Sequence, residues 1–471
     1  MSGNAVACRR HEVSRADLNG LATLFSSHPL FGQPMSFLNE DNPFLRPLRR
    51  QDAATIDLTV KLAPSQIATN AALFGQRLLT TIYEAELLFL PETMDRPRRE
   101  AFAAFYDDDL KCLGERLRPG LEHQLFGFLY DEIETSGHWS MPSFRAYAEH
   151  ALAQANTGES AVVRAILEAR NPATAADEFL VQLSSDFITE ASAMARNVLG
   201  NYGPAQSGLF TILIDEYGYG VPASKHSTIF ETTLKSRGLD HRPHAYWQFF
   251  LPSSLALVNY FHLVSRNHKH FGRYVGALLY TEATLAEANR QQSEMLRRIF
   301  GAEVDTRYFD EHHEIDAHHG RMAMERVIVP LVERVGDWIL ADVVRGFEEF
   351  KLLQTLADKD LMDQLAFGDR LFKAPMAGDF CSSHPDMWSG PDVLTFTEPK
   401  GEVSVLHIHD QAELFQVTEG AVEFTVGPLH SIELAAGQSI VIPGGRLHGT
   451  RVLSDTCSYR IRKAAGLGLA A

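Results

Sequence analysis

The chain has 471 residues, too many for one ordinary core, so we expect two or three domains. Its 43 Lys and Arg residues against 60 Asp and Glu residues give a net charge of −17, which argues against nucleic acid or an anionic membrane as the partner. The same charge is compatible with a small cationic substrate. The four cysteines are scattered and the start of the chain shows no secretory signal, so we expect a cytoplasmic location.

Residues 1 to about 135 carry a helical pattern with few grouped metal ligands. Residues recur there at three- and four-residue spacing, as an amphipathic helix requires: Leu78, Leu79, Ile82, Tyr83, Glu86 and Leu87. We interpret this segment as a helical packing or dimerisation layer. Further on, the most apolar stretch, residues 249–264, is interrupted by polar residues and predicts a buried helix that does not span a membrane.

Residues 136–360 continue the helical pattern and contain a histidine-rich segment, EHHEIDAHHGRMAMERVIVPLVE, which predicts one long helix. His312, Asp316 and His319 are spaced four and three residues apart, which places them on one face of that helix. Two imidazoles and a carboxylate on a single face suit iron. His313 and His318 point elsewhere. The competing interpretation is a histidine-rich helix that faces solvent.

Further candidate ligands follow apolar or small-residue runs upstream of this helix: Glu190, Glu216, His226 and Glu282. A carboxylate buried in such surroundings is costly unless it binds a metal or a cation. Taken singly, each acid is more often a helix-end residue in water. Together with the histidine-rich face they supply enough ligands for two irons inside a helix bundle. Glycines lie between Glu216 and His226, so helical spacing does not show that these two residues meet.

The chain changes character at about residues 358–392, and short strand patterns follow. His407 and His409 alternate as on one face of a strand, Glu413 follows, and His448 comes from a second glycine-bounded strand pair. Three neutral imidazoles, with or without a carboxylate, form an open site for iron or manganese. The alternative is a β-hairpin with surface histidines. The stretches GEVSVLHIHDQAELFQVTEG and GQSIVIPGGRLH resemble the two motifs of the cupin family, a small double-stranded β-barrel, although Val452 replaces the asparagine often found there.

The strings RNVLGNYGPAQS, IDEYGYGV, KHSTIFE, RYVGALLYTE and IDAHHGRMA resemble the haem-oxygenase-like di-iron oxidases. More narrowly, the chain resembles the three-domain N-nitrosourea-forming enzymes of streptozotocin-type biosynthesis. This resemblance implies a multidomain α plus β protein with a helical dimerisation domain (1–135), an all-α di-iron oxygenase domain (136–360) and a C-terminal cupin with mononuclear iron (361–471). A homodimer is implied as well.

The same resemblance implies which residues bind iron. Two Fe(II) ions in the helical domain would be held by Glu190, Glu216, His226, Glu282, His312, Asp316 and His319. One Fe(II) ion in the cupin would be held by His407, His409 and His448. Glu413 is an additional ligand or a residue that supports one. Tyr459 matches a family position near the cupin iron and is a candidate catalytic residue, with a core tyrosine as the alternative.

The family's substrate is an Nω-methyl-L-arginine, whose guanidine is hydroxylated twice at the di-iron site and then rearranged to an N-nitrosourea in the cupin. A protonated guanidinium is poorly nucleophilic, so its oxygenation calls for dioxygen, a strong metal-derived oxidant and acids that hold the cation. Glu132, Glu134 and Asp215 are candidates for that holding role. No glycine-rich flavin or dinucleotide fingerprint is present, so an external electron donor is expected.

Two other functions remain open at the level of sequence. The chain can be an N-oxygenase of another amine or guanidine whose cupin has a different or lost activity. It can also be a non-enzymatic fusion of a cupin sensor and a metal-storage bundle, which the heterogeneous ligand set disfavours. The products distinguish these functions. A gain of oxygen alone indicates the other N-oxygenase, a nitrosourea indicates the family's function, and no oxygen uptake indicates the sensor.

Overall fold

A computed structural model describes residues 15–371, 388 and 392–463 of the chain. Its N-terminal part forms six helices, of which α3 is central: α1 (Arg15–Ser26), α2 (Asp52–Thr55), α3 (Asn70–Glu84), α4 (Arg96–Phe105), α5 (Asp108–Phe126) and α6 (Leu129–Glu132). Three of these helices, α3, α4 and α5, begin with a side-chain cap; Thr69, for example, accepts a hydrogen bond from the Ala72 amide at the start of α3.

The following helices form a larger body: α7 (Met141–Ala155), α8 (Ala161–Glu168), α9 (Pro172–Phe187), α10 (Ser192–Ala195), α11 (Pro204–Glu216), α12 (His226–Ser236), α13 (Pro252–Arg266), α14 (Phe271–Phe300), α15 (Arg307–Met322), α16 (Val329–Val335) and α17 (Leu340–Leu371). The segment predicted as one long helix is α15, a π-helix (Ala323–Ile328) and α16 in succession. Pro330 explains the irregular turn, because its ring nitrogen has no hydrogen to donate to the preceding turn.

The N-terminal helices and the body share one apolar core. The predicted amphipathic helix is present as α3, but every residue from Ala72 to Glu84 is buried, so its polar face is covered as well as its apolar face. It packs between α5 and α13. The helix also ends before Glu86 and Leu87, where the chain turns away because the Tyr106 hydroxyl bonds to the Leu87 carbonyl and the Phe89 amide.

Two glycines set the distance between the long helices α14 and α17. A Cβ atom at Gly276 would lie 1.8 Å from the Val343 carbonyl oxygen, and one at Gly346 would lie 1.8 Å from the Arg273 carbonyl oxygen. The two backbones are therefore in direct contact at this crossing, which a larger side chain would force apart. This contact fixes α14, which carries Glu282, relative to the rest of the body.

The C-terminal part is built from seven strands: β1 (Val393–Pro399), β2 (Glu413–Glu419), β3 (Ala421–Gly427), β4 (His430–Ala435), β5 (Ser439–Ile442), β6 (Gly449–Val452) and β7 (Thr456–Lys463). All pairs are antiparallel and form two sheets, in the orders β1-β7-β2-β5 and β4-β3-β6. A separate apolar cluster fills the space between the sheets and includes Phe415, Phe424 and Ile440. His407 and His448 pair with each other as an isolated bridge.

The predicted fold class, a helical body followed by a C-terminal β-barrel, is confirmed. Residues 249–264 lie mostly in the buried helix α13, as expected, and none of the helices among the described residues has the length and apolarity needed to cross a membrane. Helix α17 runs through residue 360, where the sequence places a domain boundary, and ends at Leu371.

Candidate metal centres

Glu216 and His226 meet although glycines separate them in the sequence. Glu216 is the last residue of α11 and His226 the first of α12. Gly218, Tyr219 and Gly220 between them all have positive φ angles, and a Cβ atom at Gly218 would lie 2.4 Å from the Ser224 carbonyl carbon. This turn reverses the chain tightly, so that His226 Nδ1 lies 2.6 Å from Glu216 Oε2.

The first ligand group of the helical body brings together Glu190, Glu216, His226 and His312. His312 Nε2 lies 3.0 Å from His226 Nδ1 and 3.5 Å from Glu190 Oε1. The potential ligand atoms of the group all lie within 4.8 Å of one another. Two imidazoles and two carboxylates therefore converge on one point between α11, α12, α15 and the turn after α9.

The second group contains Glu216, Glu282 and His319, again within 4.8 Å of one another. His319 Nδ1 lies 3.3 Å from Glu216 Oε1 and 3.2 Å from Glu282 Oε2. Glu216 thus belongs to both groups and presents one carboxylate oxygen to each. Its position between the groups matches a carboxylate that bridges two metal ions.

Neighbouring side chains orient the histidines and Glu190. The far nitrogen of His319, Nε2, lies 3.1 Å from Asp215 Oδ2, and His312 Nδ1 lies 2.7 Å from the Tyr308 carbonyl oxygen. Each of these imidazoles, by donating its outer N–H, keeps its other nitrogen available as a ligand. The Tyr308 hydroxyl donates to Glu190 Oε1 at 2.6 Å.

The electrostatics of the two groups favour positive charge between the carboxylates. Burial alone would lower the pKa of His312, but Glu190 and the other acids raise it to about 10. Burial opposes protonation of His319 as well, yet Glu216 and Glu282 raise its pKa to about 11. Glu190 Oε2 is buried and has no hydrogen-bond partner among the described residues. This donor set fits divalent iron, which would neutralise the same carboxylates.

The remaining residues predicted for this region lie outside the two groups. Asp316 is buried beside the second group, with Oδ1 3.9 Å from His319 Nδ1 and Oδ2 accepting a hydrogen bond from Asn289. Asp215 contacts the outer nitrogen of His319, Nε2, so it supports a candidate metal ligand instead of facing a substrate cation. Glu132 and Glu134 are exposed, and Glu134 bonds to Ser136.

The cupin part gathers His407, His409 and His448 into a third group. Their ring centroids lie 4.5–4.9 Å apart. His407 and His448 hold their Nδ1 atoms against the carbonyl oxygens of Val405 and Arg446, which leaves each Nε2 free. Burial and the neighbouring His409 lower the pKa of His448 to about 3, so this imidazole is neutral, as a metal ligand must be.

Glu413 and Tyr459 occupy different places in the barrel. Glu413 Oε2 is 2.7 Å from His409 Nδ1, so the carboxylate contacts the imidazole at this nitrogen. The Tyr459 ring packs against Phe396 and Phe415, and its hydroxyl donates to Glu398 at 2.9 Å. None of the described contacts of Tyr459 joins it to a histidine of the group.

Side chains of the helical body hold the cupin segments that carry these histidines. Arg77 of α3 donates to the Leu406 carbonyl at 2.9 Å, and the Leu406 amide donates to Gln248. Gln364 of α17 bonds to both backbone groups of Leu447. Leu406 and Leu447 directly precede His407 and His448, whose own backbones bond to each other.

The sequence reasoning missed these supporting residues. Tyr308 could have been found, because it lies one helical turn before His312 on the same face. No local sequence pattern indicates the supporting role of Arg77, Gln248 and Gln364, because they contact residues far away in the sequence.

Two ligand groups in a helical body and a histidine triad in a barrel are what an iron-dependent redox enzyme fused to a cupin requires. The comparison with known protein families agrees. A family described as "Iron-containing redox enzyme" matches residues 177–354, and one described as "Cupin domain" matches residues 394–461. The chain is also 44% identical over 457 residues to a nitrosourea synthase from Streptomyces achromogenes subsp. streptozoticus, covering 96% of each chain. The protein belongs to the nitrosourea synthase family.

Proposed function

We propose that this enzyme N-hydroxylates the guanidine of an Nω-methyl-L-arginine-type substrate in its helical body and rearranges the product to an N-nitrosourea in its cupin. The observation that carries the proposal is the position of Glu216, whose two oxygens face two separate imidazole–carboxylate groups. That arrangement suits a pair of metal ions, whereas the cupin triad suits one. The 44% identical relative is a nitrosourea synthase, which supports the product class.

In this proposal the helical body holds two Fe(II) ions. One ion would be held by Glu190, Glu216, His226 and His312, and the other by Glu216, Glu282, His319 and the adjacent Asp316. Iron bound there supplies the activation of dioxygen for hydroxylation. Tyr308 and Asp215 keep Glu190 and His319 in a fixed orientation by hydrogen bonds.

The cupin part holds one Fe(II) ion through His407, His409 and His448. Glu413 orients His409, because its carboxylate contacts Nδ1 and leaves Nε2 for the metal. Iron held by these three histidines would supply the redox chemistry for rearranging the hydroxylated guanidine. Tyr459 remains a proposed catalytic residue on the strength of the family resemblance alone.

Electrons for the hydroxylations come from an external donor, since oxygen insertion from dioxygen also reduces the second oxygen atom to water. The chain works in the cytoplasm and pairs with a second copy of itself. Neither nucleic acid nor a membrane is a partner.

The proposal is tested by supplying iron-loaded enzyme with Nω-methyl-L-arginine, a reductant and dioxygen and identifying the products by mass spectrometry. An N-nitrosourea supports it. A product that has gained only oxygen indicates an N-oxygenase with a cupin of another activity, and the absence of oxygen uptake excludes both functions for this substrate.

A further inference from the structure

A pocket of about 430 Å³ lies beside the ligand groups of the helical body. Its wall includes Glu190, Glu216, His312 and Asp316, so a molecule inside it would be next to the metal-binding oxygens. The volume lies in the range of small-molecule sites in proteins. The pocket is therefore the place where a substrate can approach the proposed di-iron site.

Besides the exposed Glu159 and Asp316, which lies beside the second ligand group, the pocket wall contains two carboxylates outside the ligand groups, Asp186 and Asp358. Asp186 lies four residues before Glu190, at the end of α9, and Asp358 projects from α17. Among the described residues that line the pocket, none is a lysine or an arginine. The described contacts likewise give Asp186 no cationic partner, and those of Asp358 give it only the amide of Gln354, at 2.7 Å.

Burying a carboxylate costs free energy when no positive charge lies beside it. Burial and the nearby charge of Glu190 raise the pKa of Asp186 to about 7, and burial raises the pKa of Asp358. The pocket contains an independent unsatisfied group as well. The buried hydroxyl oxygen of Thr281 lines it and has no hydrogen-bond partner among the described residues. An occupant with several N–H groups and positive charge would satisfy these side chains together.

We propose that Asp186 and Asp358 are the substrate-binding carboxylates of this pocket. Asp186 binds the guanidinium group close to the metal ligands, because it lies four residues before Glu190 and both residues line the pocket. Asp358 on the α17 wall binds the α-ammonium group, and the Gln354 amide fixes its orientation. A planar guanidinium can donate two parallel hydrogen bonds to one carboxylate, which makes this pairing both strong and selective. The assignment rests on the proposed function, since it takes the guanidine as the group to be oxidised.

The test is an anaerobic calorimetric titration of the full-length, iron-loaded enzyme with Nω-methyl-L-arginine. Asp186→Asn and Asp358→Asn keep the side-chain size and remove the charge, so each should raise Kd about ten-fold or more. Asp363→Asn is the matched control, because Asp363 lies on the same helix α17 but pairs with Lys359 at the surface. Its Kd should equal that of the wild type.

Two analogues separate the roles of the carboxylates. L-citrulline replaces the guanidinium by a neutral urea, and 5-guanidinopentanoic acid lacks the α-ammonium group. Wild-type enzyme should bind both more weakly than Nω-methyl-L-arginine. Asp186→Asn should lose the discrimination against citrulline only, and Asp358→Asn the discrimination against 5-guanidinopentanoic acid only.

Three outcomes of these titrations would overturn different parts of the proposal. If the wild type binds Nω-methyl-L-arginine and both variants bind it equally well, the pocket assignment is overturned while the proposed function stands. If Asp186→Asn loses iron, the residue acts on the metal site and its assignment as a substrate ligand is overturned. A wild type that does not bind the arginine overturns the proposed substrate and this inference together.

Discussion

The side-chain amide of Gln364 forms hydrogen bonds with both backbone polar groups of Leu447. Nε2 donates to the carbonyl oxygen at 2.9 Å, and the Leu447 amide donates to Oε1 at 3.0 Å. Gln364 is buried in α17, while Leu447 immediately precedes the cupin ligand His448. The last helix of the body therefore sets the position of a histidine in the barrel, and the two parts of the chain are not structurally independent.

Gln364→Ala should weaken iron binding in the cupin, because it leaves both buried backbone groups of Leu447 without partners. Changes in residues that support metal ligands typically cost about 10–100-fold in metal affinity. The iron bound per chain, measured by elemental analysis at limiting iron, should fall by the amount that the cupin binds, while the helical body keeps its iron. The exposed Gln411→Ala in the same barrel is the control. Unchanged cupin iron in Gln364→Ala would show that α17 does not support this site.

Asp215→Ala should reduce iron binding in the helical body, since His319 loses the acceptor that orients its ring. We expect a loss of affinity of about 10–100-fold. Asp215→Asn, which keeps an acceptor oxygen at nearly the same place, should recover part of the affinity. An Asp215→Ala variant with normal iron affinity but weak substrate binding would contradict the supporting role and restore the role as a cation-binding acid predicted from the sequence.

Fully loaded wild-type enzyme should contain two irons in the helical body and one in the cupin. His448→Ala should remove only the cupin iron, and His312→Ala should remove iron only from the body, because each group draws its ligands from its own part of the chain. Elemental analysis after anaerobic loading measures both losses. Zinc retained in all sites without oxygen consumption would contradict the iron assignment.

The predicted homodimer needs a solution measurement. The N-terminal layer, interpreted from the sequence as a packing or dimerisation layer, packs on the body of its own chain through α3 and α13. The dimer now rests on the family resemblance, and Leu88 and Leu90 remain exposed on this layer. Light scattering on the wild type should give twice the mass of the chain. Leu88→Asp is then compared with Leu24→Asp, because Leu24 is exposed elsewhere on the same layer. A monomeric wild type would end the proposal.

Periodicity explains which parts of the site the sequence could predict. His312, Asp316 and His319 share a helix face, and His407 and His409 share a strand face, so local spacing is sufficient to group them. The meeting of Glu216 with His226 was not predictable from spacing, because it depends on the left-handed backbone of Gly218 to Gly220. Tertiary packing between distant segments determines the rest. It brings Gln364 and Arg77 to the backbone beside the cupin histidines, and it brings Asp186 and Asp358 into one pocket. The complete burial of α3 has the same origin.

The central claim is that the two metal sites act in sequence on one guanidine, and the products of two single variants test it most directly. Wild type, His312→Ala and His448→Ala are each given Nω-methyl-L-arginine, reductant and dioxygen, and the products are identified by mass spectrometry. We predict that His448→Ala accumulates a hydroxylated guanidine, whereas His312→Ala leaves the substrate unchanged but converts added hydroxylated guanidine to the N-nitrosourea. The account is contradicted if His448→Ala loses hydroxylation as completely as His312→Ala does.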